Sequence, residues 1–275
     1  MVANQTTNII LPCHLLMGAL SERTGTCGEL SIHFPDLYDS LSNGMNNLVP
    51  DHEIQGVHYE PFASLIAPST QRVLENAKKR MESYNQVFLN EGLIVQAIFD
   101  INDPFITSIT SGIDIIKILE IVSYPRDMVV SLRDYLFPAV QHTGLTIRKA
   151  TPNDLKSLKS FIAREFGTRW LPSVENGFSK KNIPIFLAED CGELIGFACY
   201  DVVRDKKGLF GPMGTALAKR IHKIGYSLLH HCLYEMKEIG YEYAVIGEAG
   251  PIEFYEKSCH AVLIPKQFVS IKNAL

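Results

Sequence analysis

The sequence predicts two domains: an all-α N-terminal domain over residues 1–142 and an α/β domain with a mixed sheet over 143–275. Two observations predict this. Before the seam apolar residues recur mostly at helical spacing, whereas after it short β-like runs at 183–189 and 194–203 alternate with helical stretches. The seam itself, residues 134–146, contains Pro138 and Gly144, which punctuate both patterns. A chain of 275 residues is long enough for two ordinary domains.

Hydrophobic residues at 46% and charged ones at 20% describe an ordinary globular composition. The formal net charge of -4 gives no general attraction to nucleic acid or an anionic membrane, so neither is an expected partner. No apolar run reaches the roughly 20 residues that cross a bilayer, and the N-terminus lacks the layout of a secretory signal. Cys13, Cys27, Cys191, Cys199, Cys232 and Cys259 form no C-x-x-C pair and read as the reduced thiols of a cytoplasmic protein.

In the N-terminal half, Val73, Leu74, Ala77 and Met81 stripe a helix over 70–84, with Ser69 or Thr70 as its N-cap. A faint internal repeat lays residues 10–20 over 88–98. It matches Leu15 with Leu93, Leu16 with Ile94, Ala19 with Ala97 and Leu20 with Ile98 on one helix face. Residues 31–62, rich in Asp, Asn, Gly, Pro and His, read as a surface loop. Its His33, His52 and His58 lack helical metal-ligand spacing, and no metal site is expected.

Residues 69–77, Asn90-Glu91-Gly92-Leu93-Ile94, Gly112-Ile113 and Pro125-Arg126-Asp127-Met128 together resemble one repeat of the Clp N-terminal domain. That resemblance covers roughly residues 8–135. It implies an all-helical module that recruits a protein partner or substrate, with a truncated first copy because no helix fits before Asn8. The chain has no G-x-x-x-x-G-K-[ST] loop and hence no unfoldase motor of its own.

The C-terminal half reads in order. A strand at 145–149 ends at Thr151-Pro152-Asn153-Asp154, which caps a helix through Phe166 with Leu155, Leu158, Phe161 and Ile162 inward. A helical stretch at 170–178 precedes the two β-like runs, joined by the tight turn Asp190-Cys191-Gly192-Glu193. A strand over 209–215, interrupted by Gly211-Pro212, leads to a helix over 225–239 ending at Gly240. A strand at 243–247, a short helix at 251–258 and a strand at 261–265 complete the order.

The junction between residue 215 and the long helix carries chemistry. A helix start offers unpaired amides and a positive dipole end, and Arg220, His222 and Lys223 add basic side chains, a set that suits a pyrophosphate. Taken alone, the loop fits an ordinary strand-to-helix turn with a solvated basic face equally well.

Residues 220–225 resemble the acetyl-CoA signature of the GNAT superfamily of N-acetyltransferases, [Q/R]-x-x-G-x-[G/A]. Phe254-Tyr255-Glu256-Lys257 stands where that family carries F-Y-E-K, and the hairpin at Gly192 and the opening at 146–154 also fit. The resemblance covers about residues 145–268. It implies a GNAT fold whose mixed sheet splays between two neighbouring strands, with acetyl-CoA as co-substrate in the cleft. Pantetheine would run along Met213, Gly214 and Thr215, and pyrophosphate would sit on Arg220, Ile221, His222, Lys223, Ile224, Gly225 and Tyr226. Acetyl would pass directly to a small-molecule or peptide amine.

By the same resemblance Tyr255 takes the position that protonates the departing CoA thiolate, although a packing role also fits. Glu248, where the family often has Asn, is a candidate base or an exposed loop residue. Tyr200, Asp201 and Trp170 are candidates to line the acceptor side, and Tyr200 and Trp170 fit a core equally well. Two residues depart from the pattern: Lys223 at the signature's first glycine and His260 where glycine is common. A side chain at 223 crowds the phosphate or demands a costlier backbone, which the ammonium offsets by pairing with a phosphate oxygen. The expected function is an N-acetyltransferase with a helical partner-binding domain. The competing one is a non-catalytic binding or regulatory module with a degenerate GNAT domain.

Overall fold

A computed structural model describes residues 9–46, 55–83, 86, 89–123, 126–138, 145–216 and 223–265. The chain divides into two compact units between residues 125 and 126, not near 142. The reason is a strand that the helical reading of the N-terminal half overlooked: Arg126–Ser131 pairs into the sheet of the second unit. Arg126, Asp127 and Met128, read as part of a Clp-like repeat, open that strand.

The first unit contains seven helices among its described residues: α1 Pro12–Ser21, α2 Gly25–His33, α3 Leu37–Asn46, α4 Pro68–Ser83, α5 Glu91–Asp100, α6 Pro104–Ile109 and α7 Ile115–Val122. It is not purely helical, because Ile9–Ile10 (β1) and Leu65–Ile66 (β2) form a short parallel pair. The stretch read as a loop contains α3, which buries Leu37, Leu41 and Met45 at four-residue spacing. Thr70 does not cap α4; it lies inside the first turn, where its hydroxyl donates to the Ile10 carbonyl at 2.7 Å.

Helices α1 and α5 do correspond, one residue out of the expected register. Asn90 caps α5, its Oδ1 accepting from the Leu93 amide at 2.9 Å, and Leu11 is the N-cap of α1. Superposing the caps brings Leu15 onto Ile94, both half-buried, whereas the expected partner Leu93 is fully buried. Burial, set by where each helix begins, fixes the register that apolar identity alone left ambiguous.

The second unit is a seven-stranded sheet. Its strands are β3 Arg126–Ser131, β4 Leu145–Lys149, β5 Ile185–Asp190, β6 Glu193–Tyr200, β7 Leu209–Thr215, β8 Tyr243–Ala249 and β9 Val262–Leu263. The spatial order is β4-β5-β6-β7-β8-β3-β9, and only β7 with β8 is parallel. Strand alternation sorts β6 onto two faces. Phe197 and Cys199 join the core formed with α8 (Leu155–Phe166) and α9 (Leu171–Phe178). Gly196 turns to the other face, where a β-carbon would lie 3.1 Å from Leu228 and 3.2 Å from Ile224 of α10 (Ile224–Glu238). Helix α11, Ile252–Cys259, joins β8 to β9.

Candidate functional site

The parallel pairing of β7 with β8 is short: Leu209 opposite Val245 and Phe210 opposite Ile246. Immediately past that last shared pair both strands bulge. On β7, Gly211 and Pro212 stand opposite the single Cys199 of β6. On β8, Gly247 and Glu248 stand opposite the single Asp127 of β3. A bulge bends its strand and increases its twist, so a bulge on each neighbour at the same level opens a wedge between them. Met213, Gly214 and Thr215 continue to pair with β6 but not with β8. One edge of β7 therefore presents backbone donors and acceptors free of sheet pairing.

Helix α10 begins beside that edge. Its N-cap is Lys223, in the left-handed region at φ 53° and ψ 20°, with no side-chain cap and its side chain exposed. The amide of Ser227 is bonded to the Lys223 carbonyl at 3.1 Å, so the preceding amides of Ile224, Gly225 and Tyr226 have no intrahelical acceptor. Ile224 is fully buried and offers only backbone there. A β-carbon at Gly225 would lie 3.7 Å from Phe254, 3.8 Å from Met213 and 3.9 Å from Thr215. The helix start, the splayed half of β7 and α11 thus converge on one place. Arg220, Ile221 and His222 lie outside the described residues.

Tyr255 sits at the apex of the wedge. Its ring packs edge-on to Phe210, the last residue of β7 that pairs with β8, at 6.3 Å between centroids, and to Phe254 at 5.0 Å. Burial raises its phenol pKa, with Cys259 adding to the effect, so the hydroxyl stays protonated and able to donate. Glu248 is exposed and left-handed at φ 51°. Its carboxylate pairs with Arg169 at 2.6 Å, and its amide donates to Oδ1 of Asp127 at 2.8 Å.

Asp201 does not line an acceptor site. It is buried, its Oδ1 accepting from the Gly208 amide and its Oδ2 from the Tyr241 hydroxyl, both at 2.7 Å. These bonds close the loop before β7, at the opposite end of that strand from the wedge. Tyr200 is buried and hydrogen-bonded to Glu235, and Trp170 packs 5.1 Å from the ring of Phe166 and 6.0 Å from Phe197. Tyr200 is thus a core residue, while Trp170 is half-buried against the core. Asp127 was given no role at this site from sequence, where it stood only within the Pro125–Met128 motif of the Clp-like resemblance. Among the described residues no group of three or more His, Cys, Asp or Glu is placed to hold a metal, and no helix is long and apolar enough to cross a membrane.

No family model matches this chain, and no curated protein does. Solved structures similar to it include a GCN5-related glucosamine N-acetyltransferase region of a fungal multi-domain GH3 beta-N-acetylglucosaminidase, 16% identical, with a TM-score of 0.44 over 50% of this chain and 19% of that one. A GCN5-related N-acetyltransferase from Kribbella flavida is 19% identical, with a TM-score of 0.39 over 53% and 55% of the two chains. One from Sphaerobacter thermophilus is 15% identical, with a TM-score of 0.40 over 73% and 68%. The chain spans about a fifth and about half the length of the first two. At these identities and scores the likenesses assign no activity to this chain.

Proposed function

We propose that this protein is an acetyl-CoA-dependent N-acetyltransferase. The observation that carries the reading is the wedge between β7 and β8, bounded by the uncapped start of α10. The free edge of β7 at Met213–Thr215 suits the amide-rich pantetheine arm, which can pair with it as a strand would. The amides of Ile224, Gly225 and Tyr226 suit the pyrophosphate, and Lys223 supplies a cation beside them. Acetyl-CoA brings a thioester whose acyl carbon an amine can attack.

The rest is work for side chains. The amine must shed a proton as its nitrogen bonds to the acyl carbon, and Glu248 accepts it, directly or through water. As the carbon–sulfur bond breaks, Tyr255 gives its proton to the thiolate; burial keeps the phenol protonated until that moment, while also making it a weaker acid than a free phenol. The acceptor is a small-molecule or peptide amine. The helical unit serves to recruit a partner, a reading supported by the depression lined by Leu15, Gly18, Ala19, Glu22, Glu91 and Ile94.

Calorimetric titration of the whole chain with acetyl-CoA tests the proposal. Micromolar affinity together with CoA-thiol release from a panel of amines supports it. Absence of binding favours a non-catalytic module built on the same fold.

A further inference from the structure

We infer that Asp127 is a positioning residue for Glu248, supplied by the strand that precedes the α/β core in sequence. The inference rests on Glu248 acting as base. A glutamate at φ 51° occupies a region that costs a residue with a β-carbon roughly 1–2 kcal/mol, so something must hold it there. Three features do. Gly247 and Glu248 share a single partner on β3, which leaves one of them without a ladder bond. Oδ1 of Asp127 accepts the Glu248 amide at 2.8 Å, and because the acceptor is a carboxylate the bond is charge-assisted. Asp127 is itself anchored, since its carbonyl accepts from the Ile264 amide at 2.9 Å, just beyond β9.

The consequence is directional. A one-residue bulge reverses which face the following side chains occupy, and it does so where β8 parts from β7. Without Asp127 the Glu248 backbone relaxes toward ordinary strand geometry, and its carboxylate leaves the place where an amine approaching the thioester would meet it. A catalytic group displaced by about 1 Å loses about a hundredfold in rate.

The experiment uses the whole chain. Asp127→Ala should abolish hydrogen-exchange protection of the Glu248 amide, and Asp127→Asn, whose side-chain oxygen still accepts, should restore most of it. In CoA-thiol release with the amine panel, Asp127→Ala should lower kcat by about ten- to a hundredfold while KM for acetyl-CoA stays put. Asp127→Asn should recover most of that loss, and adding Asp127→Ala to Glu248→Gln should cost nothing further. Unchanged protection in Asp127→Ala, or additive losses in the double variant, would overturn the inference. A wild-type chain that turns over no amine ends the transferase reading and this role in it, while exchange still reports whether Asp127 fixes Glu248.

Discussion

The ring of Phe166 lies against the backbone of Gly214: a β-carbon there would come within 2.6 Å of the ring's Cζ. Phe166 thereby presses the splayed half of β7 from the α8 face, and Met213 and Thr215 point from the other face toward Gly225. Replacing Gly214 with alanine forces the ring or the strand to move, at about 1–3 kcal/mol. Gly225→Ala meets nothing closer than 3.7 Å and should be neutral or slightly stabilising. Thermal denaturation of the two variants separates them; equal losses would mean that β7 is not packed as described.

Lys223 and His260, the two positions where the sequence departs from an expected glycine, are both left-handed, at φ 53° and 54°. The strain at Lys223 is met on folding, whether or not a ligand arrives. Lys223→Gly should therefore be more stable than Lys223→Ala by about 1 kcal/mol. Both should weaken acetyl-CoA binding alike, and less so at high salt, since both lose the same charge. Denaturant melts and calorimetry at two ionic strengths test this.

Tyr255→Phe keeps the ring against Phe210 and Phe254 and removes only the hydroxyl, and with it the proton. Turnover should fall by about a hundredfold or more, with acetyl-CoA affinity nearly unchanged. Parallel losses in kcat and affinity would make the residue structural.

His230 is buried in α10, shares a hydrogen bond with the Tyr135 hydroxyl, and lies tilted against the ring of Tyr226, 4.1 Å between centroids. Burial lowers its pKa from 6.5 to about 4, the Ser258 backbone opposing this and His231 adding to it. The folded pKa is depressed, so the unfolded chain takes up the proton first as pH falls. Stability from this site is present above about pH 6.5 and is lost progressively toward pH 4, by on the order of 3 kcal/mol. His230→Phe should flatten the stability profile across that window. A profile unchanged by the substitution would show that the imidazole titrates normally.

The ion pair of Arg169 with Glu248 is exposed on both sides, which places its strength at about 1 kcal/mol or less. Arg169→Ala should lower KM for a cationic acceptor by up to about fivefold, leave acetyl-CoA binding alone, and lose its effect in high salt. A KM that rises instead would make Arg169 part of the acceptor site.

Elements whose signals are local were legible in the amino-acid sequence. Strand β4, the hairpin at Gly192, α8 after its Thr151–Asp154 turn and α10 ending at Gly240 all stand within a residue or two of their expected places, because turn chemistry and helical period act over a few residues. It also marked Lys223 and His260 as positions wanting glycine, a need that is local to the backbone. Tertiary structure alone decided the rest. Six residues of β3 resemble any short apolar run until β8 and β9 offer edges on either side. Nothing local can announce a strand whose partners lie more than a hundred residues away. The same distance hid the meeting of Asp127 with Glu248, and it turned Asp201, a plausible acceptor-side residue in sequence, into a loop anchor. The wedge itself comes from two bulges facing one another across strands remote in the chain, and bulges are set by pairing, which sequence order does not fix.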